Sequence, residues 1–207
     1  MVFLNEVDRD TRRSGRVDQV ARLAELTGLT HVYYYQCYEK GQVAFLDPGT
    51  SGNAILSRYS LSDPDAVVYP KGQNVGIGNL ITATITVHGQ NITIGCTHFA
   101  LSDVERGVQV QHLRDKLLAS PHPVIFGGDL NMGPNSCVHF TTLLNAGFVK
   151  TNAVQSGTKV DTGYHLDYIL YRPSNKFKVI SDVILPDIAS DHLAVVAVLE
   201  LQNNESQ

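Results

Sequence analysis

A short segment in the C-terminal half, Gly127-Gly128-Asp129-Leu130-Asn131-Met132, contains residue types that can bind cations and activate water. It follows an apolar run over residues 123–126 that is typical of a buried strand. Paired glycines at the end of a strand allow another backbone or a ligand to approach closely. A carboxylate can bind a hard cation and position a water, and a nearby amide can orient a phosphate oxygen. Asp129 and Asn131 are therefore candidates for a hydrolytic site.

Further polar residues stand at the ends of other strand-like runs. Glu6 closes the first run, His98 follows another, Asp167 lies in His165-Leu166-Asp167-Tyr168, and Ser190-Asp191-His192 precedes the last run. Each has an ordinary explanation on its own, such as a solvated carboxylate, a structural histidine or a capped turn. A half-buried aspartate such as Asp167, however, needs a polar partner. Together these residues supply the carboxylates and imidazoles that metal and acid–base chemistry require.

The hydropathy pattern predicts a single α+β domain over residues 1–207, with a polar tail at 202–207. The predicted strands cover residues 2–7, 31–37, 53–57, 66–69, 80–87, 91–97, 124–127, 166–171, 177–185 and 193–201, and the predicted helices cover 16–27, 103–118 and 136–146. Many strands in hairpin order with a few interspersed helices favour two sheets flanked by helices.

Composition makes some classes of function less favoured without excluding a local basic groove. The 207-residue chain carries a formal net charge of −4, which is not the basic surplus of a strong nucleic-acid binder. No apolar stretch approaches the roughly 20 residues that span a bilayer. Cys37, Cys96 and Cys137 are widely spaced and odd in number, so we expect free thiols in a reducing compartment and a cytoplasmic location.

Taken in order, these motifs resemble the endonuclease/exonuclease/phosphatase superfamily over residues 2 to about 201. The motifs are Glu6, GNAILSR (52–58), THF with a downstream ER and Gln (97–109), GGDLNM (127–132), LDYIL (166–170) and SDH (190–192). The resemblance implies a four-layer α/β/β/α sandwich of two mainly antiparallel sheets. It also implies hydrolysis of phosphoesters with Mg²⁺ or Mn²⁺.

The resemblance assigns roles to the residues that would bind the metal and position the water. Glu6 and Asp191 match the metal-binding carboxylates of the family. Asp129 matches the residue that activates or orients the attacking water, and Asn131 matches its phosphate-facing or metal-facing neighbour.

The remaining roles also follow from the resemblance. His192 matches the histidine that contacts the scissile phosphate, and Asp167 matches the carboxylate that orients it. His98 matches a second phosphate-facing histidine. Asn53 and Arg106 match supporting or substrate-binding positions.

Two departures from the family pattern generate further expectations. The usual first core strand, with its functional asparagine, has no counterpart, and Asn5 is expected to point to the face of the strand opposite Glu6. We therefore expect an incomplete metal shell and an unpaired strand edge. That edge should cause either self-association or a loss of stability with displacement of Glu6. Tyr59 stands where secreted deoxyribonucleases carry a glutamate, so His98 is expected to lack a carboxylate partner.

Three functions remain open at this stage. The first is a metal-dependent nuclease that cleaves DNA phosphodiester bonds. The second is a phosphatase or phosphodiesterase acting on lipid or small-molecule phosphoesters, which the acidic net charge favours. The third is an impaired, non-catalytic remnant that binds phosphate. The expected partner is thus DNA or another phosphoester, without membrane insertion.

Overall fold

The computed structural model describes residues 1–38, 49–70, 78–133, 137–151 and 157–202. The strands are β1 (Val2–Arg9), β2 (His31–Tyr38), β3 (Thr50–Ser57), β4 (Ser62–Val68), β5 (Asn79–Val87), β6 (Gln90–Thr97), β7 (Val124–Asp129), β8 (Val149–Lys150), β9 (Asp167–Arg172), β10 (Phe177–Ile184) and β11 (Val195–Leu201). The helices are α1 (Gln19–Thr27), α2 (Asp103–Leu118) and α3 (Cys137–Asn145). Residue 136, where the third helix is predicted to begin, and residues 203–207 of the predicted polar tail lie outside the described residues.

Local chemistry explains where two elements depart from their predicted bounds. Helix α1 begins three residues later than predicted, because the Asp18 carboxylate accepts a hydrogen bond from the Ala21 N–H at 3.0 Å and caps the helix there. It ends at Gly28, whose φ of 69° is left-handed. Strand β4 extends back to Ser62 although it contains Pro64. It can do so because it is an edge strand, where a missing N–H is tolerated.

The strands form three sheets. The largest has six strands in the order β4-β5-β6-β7-β9-β8, and only the β6–β7 pair is parallel. Strands β1, β3 and β2 form a three-stranded antiparallel sheet, and β10 pairs with β11.

The sheets and helices form four layers, and three apolar clusters of the described residues lie between them. Helices α2 and α3 cover one face of the large sheet through residues such as Leu113, Phe126 and Leu143. The opposite face packs its isoleucines, including Ile81 and Ile94, against the two smaller sheets. Helix α1 covers the outer face of the three-stranded sheet. The predicted α/β/β/α sandwich with mainly antiparallel sheets is thus confirmed.

A cleft of about 1600 Å³ separates the two smaller sheets. One wall is β1, the other is β11, and the floor includes Ile85, Ile92, Ile125 and Ile169 from the large sheet. Among the described residues, β1 pairs only with β3, and β11 pairs only with β10. The expected unpaired edge along the first strand is therefore present. None of the described helices has the length and hydrophobicity required to cross a bilayer.

Candidate active site

The Asp129 carboxylate is held at the end of β7 by a tight local turn. Its Oδ1 accepts a hydrogen bond from the backbone N–H of Asn131 at 2.8 Å, and Asn131 has a left-handed φ of 49°. Gly128 allows this turn because a Cβ there would overlap the carbonyl oxygen of Thr97. Burial raises the pKa of Asp129, and the charge of Asp167 adds to this effect while His98 opposes it. The result is a carboxylate with increased proton affinity.

Asp167 and His192 form a hydrogen-bonded pair next to Asp129. The antiparallel register of β7 and β9 places Asp167 directly opposite Asp129. The Nδ1 atom of His192 lies 2.7 Å from the Asp167 carboxylate, and its Nε2 lies 3.9 Å from Oδ2 of Asp129. Burial alone would lower the pKa of His192. The Asp167 hydrogen bond and the negative charges of Asp167 and Asp129 outweigh burial and raise that pKa.

His98 enters the same site from the end of β6. Its Nε2 lies 3.5 Å from Oδ2 of Asp129, and its Nδ1 lies 3.9 Å from Oε1 of Glu6. The expectation that His98 lacks a carboxylate partner, based on Tyr59, is therefore wrong. The partners come from β7 and β1 rather than from the position next to Arg58.

A bulge in β1 brings Asn5 and Glu6 into the site together. The β1–β3 register shifts between Leu4 and Val7, and Glu6 has a φ of 54°. The expectation that Asn5 points away from the site is wrong, because the bulge interrupts the alternation of side chains. The Glu6 side chain remains 54% exposed and lines the cleft.

Asn5 connects β1 to the turn that carries Asp129. Its Oδ1 accepts a hydrogen bond from the Asp129 N–H at 2.8 Å, and its Nδ2 donates to the Thr97 carbonyl at 3.0 Å. The same Nδ2 lies 2.8 Å from Oδ1 of Asn53. Sequence reasoning missed this role, because only a bulge in the strand could reveal it.

Asn53 and Arg106 do not line the cleft. Asn53 is fully buried, and its Nδ2 donates to Oδ1 of Asn79 at 2.8 Å, which continues the chain of amides from Asn5. Arg106 donates to the carbonyl oxygens of Ala100 and Leu101 at 3.1 and 2.5 Å. Both residues hold segments that carry site residues, and neither contacts the space that a substrate would fill.

Asp191 lies at the edge of the site and is paired with a residue that sequence reasoning did not identify. The Lys159 ammonium donates to Oδ2 of Asp191, and this contact is the main cause that lowers the pKa of Asp191. No motif marks Lys159, because its segment comes together with Asp191 only through long-range backbone pairing.

Two groups of residues could hold a divalent ion. Asp129, Asp167 and His192 offer ligand atoms that all lie within 4.8 Å of one another. Glu6 and Asp191, which line the cleft, also border a smaller polar cavity of about 340 Å³, together with Asn5 and Arg13. Carboxylate and amide oxygens suit hard ions such as Mg²⁺ or Mn²⁺. Both groups already make contacts, because Asp167 is hydrogen-bonded to His192 and Asp191 to Lys159. The Glu6 and Asp191 carboxylates are the more accessible to an ion from solvent, with side chains 54% and 72% exposed.

Comparisons with known proteins support the fold. The chain matches a solved endonuclease/exonuclease/phosphatase from Beutenbergia cavernae with 25% identity and a TM-score of 0.83, covering 97% of this chain and 62% of that one. It therefore spans less than two thirds of that protein's length. No curated protein sequence gives a significant match.

Two more distant structures share the fold. The human Nocturnin catalytic domain with a bound sulfate anion aligns with 16% identity and a TM-score of 0.67, covering 90% of this chain and 79% of that one. A mannosyl-6-phosphatase from Bacteroides thetaiotaomicron aligns with 15% identity and a TM-score of 0.65, covering 88% and 81%. The family model for Endonuclease/Exonuclease/phosphatase matches residues 1–192, and the chain belongs to that family.

Proposed function

We propose that this chain is a divalent-metal-dependent phosphoester hydrolase. One observation carries the proposal: the Asp129 carboxylate lies within 3.5 and 3.9 Å of imidazole nitrogens of His98 and His192, and His192 is itself held by Asp167 at 2.7 Å. A buried carboxylate can position the attacking water, and the two flanking imidazoles can donate hydrogen bonds that stabilise an anionic transition state next to it.

Asp129 is the group that would orient the attacking water. Its Oδ1 is occupied by the Asn131 N–H, so Oδ2 remains to accept a proton from a water in the cleft. The raised pKa of Asp129 favours that role, since a carboxylate with a higher pKa is a stronger base.

The two histidines would bind the phosphate. Despite burial, the contact with Asp167 raises the pKa of His192. The protonated ring can donate its Nε2–H to a phosphate oxygen, and Asp167 keeps the ring in that orientation. His98 approaches Asp129 from the opposite side and can donate to a second oxygen. Asn131 stays close, with Nδ2 donating to the Phe99 carbonyl at 2.8 Å.

Glu6 and Asp191 are the residues that would hold the ion. When bound, a divalent cation supplies charge neutralisation and polarisation at the phosphate. The protein's own contribution there is a pair of exposed carboxylates, 54% and 72% accessible, at the mouth of the site.

The charges along the cleft favour a small phosphoester over DNA. Among the described residues lining the cleft, the acidic side chains are Glu6, Glu105, Asp129, Asp167, Asp187 and Asp191, and the Lys and Arg side chains are Arg58 and Lys159. A groove that follows a nucleic-acid backbone needs a basic surplus. We therefore infer that a compact phosphomonoester or phosphodiester is the substrate class, with DNA cleavage as the alternative.

One panel of assays tests both the proposed hydrolase activity and the proposed substrate class. The purified protein is incubated with p-nitrophenyl phosphate, bis-p-nitrophenyl phosphate, a sugar phosphate and plasmid DNA, each with Mg²⁺, Mn²⁺ or EDTA. We expect hydrolysis that EDTA abolishes, with a higher kcat/KM on a small ester than per bond of DNA. Asp129→Ala should lower kcat on the order of 10³-fold.

The same panel contains the results that would count against the proposal. Efficient plasmid cleavage without turnover of any small ester would support the nuclease. Phosphate binding without turnover on any substrate would support the non-catalytic remnant. Near-full activity in Asp129→Ala would show that the proposed mechanism is wrong.

A further inference from the structure

Lys159 presents an ammonium group at the catalytic end of the cleft. Its side chain is 21% exposed, it lines the cleft beside His192, and its Nζ donates to Oδ2 of Asp191. Asp191 itself is 72% exposed on its side chain, so this carboxylate could bind another cation from solvent.

The backbone on either side of Lys159 is hydrogen-bonded to the segments that carry Asp167 and His192. The carbonyl of Thr158 accepts a hydrogen bond from the Leu193 N–H at 2.7 Å, and the Val160 N–H donates to the Asp191 carbonyl at 2.9 Å. The buried hydroxyl of Thr158 also accepts from the Asp167 N–H at 3.2 Å. These hydrogen bonds fix the position of the Lys159 backbone relative to the Asp167–His192 pair.

The second Lys or Arg side chain along the described part of the cleft is too far away to serve the same purpose. Arg58 lies near the Met1 amino group, where its positive charge contributes to a lowered pKa of that group. Met1 precedes β1 and lies five residues before Glu6 in the chain. Among the described residues that line the cleft, Lys159 is thus the lysine or arginine at the His192 end; Arg13 borders the adjoining polar cavity, where its guanidinium is paired with Asp8.

A single carboxylate cannot satisfy an ammonium and a divalent ion equally well. An ion bound at Asp191 would repel the Lys159 ammonium, and the flexible four-carbon stem would let Nζ turn into the same cleft. A phosphate bound between His98 and His192 would then receive a third cationic donor.

We propose that Lys159 is a phosphate-binding residue. In the absence of a divalent ion its ammonium is paired with Asp191, and it becomes available to the phosphate when an ion binds that carboxylate. The proposal rests on the phosphoester hydrolase function, because it requires an ion at Asp191 and a phosphate beside His192. It assigns Lys159 two opposing effects, competition with the metal and attraction of the anion.

Binding measurements without turnover test these two effects. Mn²⁺ is titrated into the wild-type protein and Lys159→Met, and inorganic phosphate is titrated into each in the presence of saturating Mn²⁺, both by calorimetry. We expect Lys159→Met to bind Mn²⁺ several-fold more tightly, because a competing cation is gone. We expect its phosphate Kd to rise roughly tenfold, because a charge-assisted donor is lost.

Matched variants separate this role from a structural one. Lys116→Met is the control, because Lys116 also pairs with an aspartate, Asp65 at 2.5 Å, but on the outer surface of α2. It should change neither Kd. Lys159→Arg should keep phosphate binding near the wild-type value, and Lys159→Gln repeats the test with a polar side chain if the methionine variant is unstable.

Each outcome distinguishes this proposal from the function on which it rests. Shifts of opposite sign for Mn²⁺ and phosphate support it, whereas weakening of both ligands indicates a structural role and overturns it. An unchanged phosphate Kd also overturns it. If the wild-type protein hydrolyses no substrate, the proposed function fails, but opposite shifts in binding would still establish Lys159 as an anion ligand.

Discussion

The Asp167–His192 pair should behave as one catalytic unit. The two side chains are 2.7 Å apart and about one fifth exposed, so their hydrogen bond is charge-assisted and partly shielded from water. Such a bond contributes about 1.5–3 kcal/mol, which corresponds to roughly 10- to 150-fold in rate if it acts in the transition state. His192→Ala should cost more, on the order of 10²- to 10⁴-fold, since the phosphate donor itself is removed.

A double-mutant cycle measures the coupling between these residues. The wild-type protein, Asp167→Ala, His192→Ala and the double variant are compared by kcat on the best small phosphoester, with saturating metal ion. Because Asp167 acts through His192, the double variant should be no slower than His192→Ala within about twofold. The unfolding midpoints of all four proteins should be measured alongside, so that loss of fold is not mistaken for loss of chemistry.

Additive losses would refute this reasoning. If the double variant is slower than His192→Ala by the full factor of Asp167→Ala, then Asp167 acts on the reaction directly and not by orienting the imidazole. A full rate in Asp167→Ala would show that the hydrogen bond has no catalytic consequence.

Other perturbations test the elements that support the site. Asn5→Ala should lower the free energy of unfolding by about 2–4 kcal/mol in urea titrations and reduce kcat, because the Asp129 N–H loses its acceptor; an unchanged midpoint would contradict this. Asp8→Asn should destabilise the protein at neutral pH, because burial disfavours the charge but the hydrogen bond from Arg13 outweighs it and lowers the pKa of Asp8. This stability is present above the ordinary pKa of 3.8 and is lost as the pH falls through the lower folded value, so thermal melts of wild type and variant should converge in acid. The unpaired edge of β1 predicts self-association, which sedimentation at increasing concentration should detect and Val2→Lys should weaken; a stable monomer at all concentrations would show that the fold tolerates the open edge.

Local patterns in the sequence predict the centre of the site well. Asp129 follows a buried strand and paired glycines, and Asp167 begins the next apolar run, so strand ends alone indicate that both face one edge of a sheet. The β7–β9 register then sets the two carboxylates opposite each other.

The periphery of the site depends on contacts that no local pattern encodes. The bulge at Glu6 reverses the expected direction of Asn5, and a positive φ at a glutamate has no sequence signature. Lys159 reaches Asp191 through backbone pairing across 32 residues. Arg106 matches a supporting or substrate-binding position of the family, and in the fold it supports a loop by donating to nearby backbone carbonyls.

The cleft between β1 and β11 also separates parts of the site that should differ in local stability against unfolding. The central sheet carries Asp129 among fully buried neighbours, whereas β11 has no fully buried residue and β10 has one, Phe177. A hairpin with so little buried surface should open at a lower free energy than the central sheet. His192 lies in the segment that connects these two strands, just before β11. Amide hydrogens of β10 and β11 should therefore exchange, and activity should fall, at temperatures where the large sheet is still intact.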